Sequence, residues 1–477
     1  MREFYEIFIF YYASILMLSY SLLIIFSIIE IRQYMLRKSN KDLRSLLTSP
    51  HAPGITVIAP AFNEAKTIID NVYSLLSLNY PKFEVVIVND GSSDHTLEKM
   101  VLEFDLVKTD YAYHEHIKTS IIRGIYRSLN PAFFNLLVVD KVNRKSKADA
   151  SNAGINVSSY PYFLATDVDC VLHKDTLLKL IKPIIDDKNK VIATGAAIRL
   201  ANSCDIENGF LIKAKVPQKI LPLFQELEYI RSFLIGRMAL SKIHGLTLVS
   251  GALGMFDKDI AIKAGAYDPL SLGEDMELVT RMRIYMHDIN TKYKVKYIPE
   301  SLCWTEAPAT LKVYSQQRTR WAGGLAQNLW RHKRIMFNVK YGVFGMISFP
   351  YLFFSEWLAP IIELLGIMFY IYCIITGRVN WEYALILLVY VYSFCVTMSI
   401  FSVLWDEIIF RQYSSKWAIV QLCLTAFLEP IFYHPLVITF ALKGVIYSLT
   451  GIQLSWGNMK REGFRNISTT STSTLNN

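Results

Sequence analysis

Two carboxylates one residue apart close an apolar run, Tyr162-Phe163-Leu164-Ala165-Thr166-Asp167-Val168-Asp169-Cys170. A buried strand that stops on Asp-x-Asp delivers two hard oxygen ligands to the mouth of a sheet, where a divalent cation and a phosphate can sit. Taken alone the pair is also ordinary turn chemistry, so the surrounding residues must decide. Two earlier apolar runs end in the same manner. Pro60-Ala61-Phe62-Asn63-Glu64 follows Ile55–Ala59, and Asn89-Asp90-Gly91-Ser92-Ser93-Asp94 follows Phe83–Val88. Each reads singly as a helix cap or a tight turn, Asp94 being a candidate cap. Three polar strand ends on one rim make a site. Asp140-Lys141-Val142-Asn143-Arg144-Lys145-Ser146-Lys147 is a basic loop running into a helix. Most of it is expected to be a solvated face, but Lys147, at the helix entrance, can neutralise a diphosphate as a compact point charge. Further on come Ser250-Gly251-Ala252, then Glu274 and Asp275 opening an amphipathic helix, where stabilisation of the helix dipole explains one of the two carboxylates. Gln317-Arg318-Thr319-Arg320-Trp321 holds an amide, guanidinium groups and an indole close together. An indole offers a face for a sugar ring and a guanidinium a fork for a phosphate.

The elements that would position these residues follow from periodicity. Strand-like runs at Ile55–Ala59, Phe83–Val88, Leu136–Val139, Tyr162–Ala165 and Val191–Thr194 alternate with helical stretches such as Glu64–Leu78. That alternation predicts a mainly parallel, doubly wound sheet with its ligand site beyond the carboxyl ends of the strands. Neither a Gly-x-Gly-x-x-Gly fingerprint nor a Walker loop is present, and there is no internal repeat.

A hydrophobic share of 52% and a mean hydropathy of +0.27 are too apolar for an ordinary soluble enzyme of 477 residues. Ile7–Ile29 carries no charge and is long enough to cross a bilayer, too long for a signal peptide, and lacks a cleavage site. The basic cluster Arg32, Arg37, Lys38, Lys41 and Arg44 behind it predicts a cytoplasmic domain and an outside N-terminus. Tyr351–Ile375 and Tyr383–Leu404 are further spans, in which Glu356 and Glu363 are expected to face protein or a polar channel. Trp417–Leu449, broken at Glu429-Pro430 and His434-Pro435, reads as one kinked helix or two short ones. The basic tail, with Lys460, Arg461 and Arg465, favours an even number of spans after the domain, and Ser468–Asn477 reads as disordered. The expected organisation is a membrane helix over 1–31, a basic linker over 32–53, a cytoplasmic α/β domain over 54–338, membrane or interfacial helices over 339–450, and a tail over 451–477. The net charge of +9 fits a membrane surface or a phosphate-bearing substrate, since no basic-aromatic pattern points to nucleic acid. The six cysteines are far apart and exclude a zinc ribbon or disulfide scaffold.

The ordered set Asp90, Asp167-Val168-Asp169, Asp275 and Gln317-Arg318-Thr319-Arg320-Trp321 resembles the D, DxD, (E/T)D, QxxRW signature of membrane-embedded family 2 glycosyltransferases, the makers of cellulose, chitin, hyaluronan and poly-β-1,6-N-acetylglucosamine. Lys147-Ala148-Asp149-Ala150, Gln225-Glu226-Leu227-Glu228-Tyr229 and Ser250-Gly251-Ala252 look most like the poly-N-acetylglucosamine synthase branch. The resemblance covers roughly residues 50 to 340 with the flanking helices. It implies a GT-A fold and a multi-pass enzyme of the cell membrane with a cytoplasmic catalytic domain. It also implies an inverting hexosyl transfer from a UDP-sugar, UDP-N-acetylglucosamine or UDP-glucose, to the end of a β-linked polysaccharide, coupled to export.

Carried over residue by residue, the resemblance puts Asn63 and Glu64 near the base, Asp90 and Asp167 at the nucleotide, and Asp169, with Asp167, at Mg²⁺ or Mn²⁺. Lys147 and Arg320 would face the leaving diphosphate, Asp275 would be the general base, Gln317 would belong to the catalytic set, and Trp321 would stack on the acceptor beside Ser250, Gly251 and Glu274. No cyclic-dinucleotide-binding domain or Phe-x-Val-Thr gating loop is recognisable, which speaks against that regulation within this chain, and accessory export subunits are compatible with the reading. A lipid acceptor glycosylated once or twice is the alternative within the family. A non-catalytic scaffold or transporter is the alternative outside it, disfavoured because every ionisable motif position is filled.

Overall fold

The computed structural model describes residues 2–37 and 40–450. The basic and Ser/Thr-rich tail read from the sequence lies outside them. Two compact units are present. One consists of Tyr34–Lys215 and Leu246–Ala307. The other consists of the described residues up to Gln33, Val216–Gly245, and those from Pro308 on.

The first unit is built on one large sheet. Its strands are β1 (Ile55–Ala61), β2 (Phe83–Asn89), β3 (Leu106–Thr109), β4 (Ile122–Ser128), β5 (Leu136–Lys141), β6 (Tyr162–Thr166), β7 (Val171–Leu172) and β8 (Lys190–Leu200). After a small hairpin of β9 (Asp205–Glu207) and β10 (Phe210–Lys213) come β11 (Leu253–Asp257) and β12 (Tyr293–Thr305). The ten-stranded order is β3-β4-β5-β2-β1-β6-β11-β8-β12-β7. β5, β2, β1 and β6 run parallel, with Ile55 opposite both Phe83 and Tyr162. Runs such as Ile55-Thr56-Val57-Ile58 are buried on both faces, which is why they lack the alternation of a one-sided sheet. The helix Ile68–Leu76 returns the chain between the parallel neighbours β1 and β2, as the periodicity predicts, and Lys147–Val157 carries it from β5 past β2 and β1 to β6.

The sheet is mixed rather than uniformly parallel. β11 lies antiparallel between β6 and β8, with Leu253 opposite Thr166. Its amino end therefore meets the carboxyl end of β6, and the Ser250–Ala252 loop arrives at the rim that carries Asp167. The edge pair β3–β4 and the long β12 are additions to the strands read from sequence.

The second unit is helical. Among the described residues four helices are long and apolar enough to cross a membrane: Glu3–Arg37, Phe344–Ile375, Trp381–Phe410 and Lys416–Thr450. Three of them follow the sheet-bearing residues, where the basic tail favours an even number of spans. Glu429-Pro430 does not split the last region. A wider turn over Glu429–Tyr433 absorbs the proline's missing N–H, so the region stays one helix. Glu363 faces protein, as expected, and lies 2.8 Å from the His434 imidazole. Leu23, Ile235, Ala239 and Met398 make one apolar cluster here and Leu221, Phe224, Tyr314 and Tyr433 another.

Candidate active site

The carboxyl ends of β1, β2, β5 and β6 converge with the amino end of β11 on one rim of the sheet. Asp167 follows β6, and Asp169 and Cys170 sit in the next turn, the last two buried. One ligand atom from each of the three lies within 4.8 Å of the others. Hard carboxylate oxygens suit Mg²⁺ or Mn²⁺, so Asp167 and Asp169 fit the divalent cation expected there. Cys170 does not complete the set. A hydrogen bond with Cys303 and burial push its thiol well above the usual range, and a neutral thiol is a poor partner for a hard cation.

Lys147 opens the Lys147–Val157 helix, and its ammonium pairs with Asp167 and donates to the Gly251 carbonyl at 3.1 Å. Burial works against that charge, but Asp167 and Glu274 outweigh it and raise the lysine pKa. The Gly251 N–H in turn donates to Asp275 Oδ2 at 2.9 Å, and Asp275 Oδ1 accepts the Met276 N–H at 2.8 Å. Gly251 thus joins the lysine and the carboxylate through its own backbone N–H and carbonyl. A Cβ there would lie 3.5 Å from Lys147 Nζ and 3.6 Å from Asp275 Oδ2, so its absence leaves room between the two charged groups. Glu274, beside Asp275, is buried.

Asp90, just beyond β2, is buried and salt-bridged to Lys141 at the end of β5. Lys141 is fully buried and also reaches Asp149 Oδ2 at 2.9 Å. Lys141 falls in the basic run expected to be mostly a solvated face, but it is a buried cation shared by Asp90 and Asp149. Its position at the end of an apolar strand, where the Leu136–Val139 run continues inward, is the signal that would have found it. The first turn of one helix carries both Lys147, turned to Asp167, and Asp149, turned to Lys141. Burial raises the Asp149 pKa, but Lys141 and Ser120 outweigh it and bring the carboxyl below its usual value. A carboxylate with a lowered folded pKa stabilises the fold above its unfolded value of 3.8 and loses that contribution as the pH falls through the folded one. Unfolding of wild type and Asp149→Asn across acid pH should therefore show a stability gap that narrows below pH 3.8.

Asn63 and Glu64 form a loop tied to the one after β2. Asn63 Oδ1 accepts the Ser93 N–H at 2.8 Å, the Glu64 N–H donates to Thr96 Oγ1 at 2.9 Å, and Asp94 accepts from both Ala65 and Thr96. The N-cap of the Thr96–Glu103 helix is His95 rather than Asp94, which lies one residue earlier, accepts the Thr96 N–H and crosslinks the two loops. Ser250 closes a tight turn by accepting the Leu253 N–H on its carbonyl at 3.0 Å.

A model of glycosyltransferase-like family 2 matches residues 52–324, more than half the chain, and a second, glycosyl transferase family group 2, matches residues 229–428. The chain belongs to the family 2 glycosyltransferases. Curated relatives of this family 2 glycosyltransferase include the poly-beta-1,6-N-acetyl-D-glucosamine synthase of Staphylococcus epidermidis, 28% identical over 304 residues, and that of Staphylococcus aureus, 28% identical over 273. The matches span 62% of this chain and 62% of the first relative, and 57% and 54% for the second. Among solved structures, a mannosyltransferase from Pyrobaculum calidifontis in complex with GDP-Man and Mn²⁺ aligns at a TM-score of 0.48 and 17% identity, covering 91% of this chain and 99% of that one. The sheet-bearing unit has the mixed α/β architecture that the GT-A expectation requires, with the carboxylates on its switch-point rim.

The remaining motif of this family 2 glycosyltransferase, Gln317–Trp321, is carried by the helix Leu311–Arg331 of the helical unit. Trp321 is 39% exposed, and Gln317 and Arg320 are half-buried. Arg318 and Thr319 are buried, and neither stands out from the sequence alone.

Proposed function

We propose that this glycosyltransferase transfers N-acetylglucosamine, with inversion, from UDP-N-acetylglucosamine to the end of a growing β-linked polysaccharide. The observation that carries the reading is the backbone of Gly251, hydrogen-bonded through its carbonyl to Lys147 and through its N–H to Asp275. A cation for the departing diphosphate and a base for the incoming hydroxyl are thereby both hydrogen-bonded to one residue. The names of the curated relatives supply the sugar and the polymer.

Asp275 accepts two backbone N–H groups, which orient its carboxylate. As the acceptor oxygen attacks the anomeric carbon, its proton passes to the Asp275 carboxylate. The new C–O bond forms while the bond to the β-phosphate oxygen breaks, and the electron pair leaves on UDP beside the Lys147 ammonium. One such displacement turns an α-linked donor into a β-linked product. Asp169 and Asp167 would hold a divalent cation, which when bound draws charge from the diphosphate. By the family resemblance, Asn63, Glu64 and Asp90 would receive the nucleotide, Gln317 and Arg320 would assist the leaving group, Trp321 would stack on the acceptor, and Ser250 and Glu274 would bind it. The basic residues behind the first long helix favour the cytoplasm for the sheet-bearing unit.

Membranes containing the chain, given UDP-sugars and Mg²⁺ or Mn²⁺, should consume UDP-N-acetylglucosamine and release a polymer digestible by a β-linkage-specific glycosidase. A product that never exceeds one or two sugars on lipid would overturn the polymer reading. Asp169→Ala should bring UDP affinity in Mg²⁺ down to the level measured in EDTA. Wild-type binding that is equally tight with and without metal would remove the carboxylates from that role.

A further inference from the structure

Gln225-Glu226-Leu227-Glu228-Tyr229 stands out in the sequence but has no part in the transfer just described. In the structure Gln225, Glu226 and Glu228 all reach into the helical unit. Gln225 Nε2 donates to the Pro308 carbonyl at 2.8 Å, just ahead of the Leu311–Arg331 helix, and Tyr413 donates to Glu226 at 2.6 Å. Glu228 takes the Arg318 fork, Nη1 at 2.5 Å to one carboxylate oxygen and Nη2 at 2.6 Å to the other. Tyr433 closes the set by donating to Glu228 and accepting from Arg318 at 3.1 Å. One turn on, Arg231 makes a second fork with Glu429, at 2.8 and 2.7 Å.

Arg318 and Trp321 are three residues apart on one helix and so share a face. The guanidinium carbon lies 4.7 Å from the Trp321 ring centroid and 4.9 Å from that of Tyr314, one turn earlier. A half-exposed tryptophan ordinarily samples several rotamers. Here a cation of fixed orientation lies against its ring, and that orientation comes from the planar match of guanidinium to carboxylate, which a lysine could not reproduce. The helix is also fixed from the other side. Gly444 crosses it so closely that a Cβ would come within 2.5 Å of the Thr319 carbonyl oxygen and 2.7 Å of Ala322 Cβ.

We propose that Glu228 is a positioning residue for Trp321. By locking the Arg318 guanidinium against the indole it fixes the plane on which the acceptor sugar stacks. This rests on the assignment of Trp321 to the acceptor. Glu228 touches no reacting atom, so its influence falls on acceptor use and spares the nucleotide.

The test uses the purified full chain in lipid nanodiscs with UDP-N-acetylglucosamine, a divalent cation and a short β-1,6-linked N-acetylglucosamine oligosaccharide as acceptor. Acceptor KM, kcat, the Kd for UDP and the unfolding midpoint are measured. Glu228→Gln should raise acceptor KM by about tenfold, the scale of one desolvated cation–π contact, with UDP affinity within about twofold of wild type. Because Glu228→Gln strands a buried guanidinium, Glu228→Leu with Arg318→Met removes both charges together. That pair should restore the unfolding midpoint and leave acceptor KM raised. A double variant with wild-type acceptor KM, while Trp321→Ala is impaired, would overturn the positioning role alone. Trp321→Ala with unchanged acceptor KM would overturn the acceptor assignment on which the role depends.

Discussion

Replacing Asp275 by Asn is expected to slow glycosyl transfer by about 10²- to 10⁴-fold while UDP affinity stays within about twofold, as loss of the proposed general base would require. The substitution is nearly isosteric. An asparagine oxygen can still accept the Gly251 N–H, so the residue whose carbonyl also holds Lys147 stays in place. What is lost is the negative charge that receives the acceptor proton. Single-turnover transfer measured beside UDP binding by calorimetry separates the two effects. Transfer above a tenth of the wild-type rate would assign the proton to another group, and a large loss of UDP affinity would place Asp275 on the nucleotide.

Lys141→Met produces the largest expected effect on stability. The two side chains have similar length and volume, so the change leaves no appreciable cavity, yet Asp90 and Asp149 would remain as carboxylates without their shared cation. Removing one member of a buried charge set costs about 3–5 kcal/mol. Urea or thermal unfolding of the purified protein measures it. Adding Asp149→Asn removes one orphaned charge, and the new amide oxygen can still accept from the Ser120 hydroxyl, which lies 2.9 Å from Asp149 Oδ2. That second change should recover part of the loss. A Lys141→Met protein as stable as wild type would show that the buried ammonium contributes nothing to the fold.

The parallel half of the sheet could be read from sequence because β1, β2, β5 and β6 are largely buried strands with continuous apolar runs and turn residues at their ends. The candidate carboxylates Asp90 and Asp167 stand out for the same reason, since each follows such a run at its carboxyl end, whereas Glu274 and Asp275 open a helix. β11 could not be read in this way. Leu253-Gly254-Met255-Phe256-Asp257 contains no β-branched residue, and its antiparallel placement is set by partners far away in the chain. Lys141 was hidden by its neighbours, because a lysine in a basic loop and a lysine at the inner end of a strand look alike until the strand's register is known. Arg318 was hidden by its motif, in which Arg320 and Trp321 seemed to hold the chemistry. The partners of Arg318 come from Glu228 and Tyr433, 90 and 115 residues away, and no local pattern announces such pairings.

The sheet-bearing unit is discontinuous in the chain, because Val216–Gly245 belongs with the helical unit and β11 and β12 are made only afterwards. β8 must wait for β12, whose Lys294 lies opposite Val191, before its free edge is covered. During synthesis from the N-terminus, the strands bearing Asp90, Lys141, Asp167 and Asp169 emerge and can pair before the residues that supply Gly251 and Asp275 exist. The order of synthesis thus separates the two halves of the proposed chemistry: the residues proposed for the nucleotide are made before the one proposed as the base.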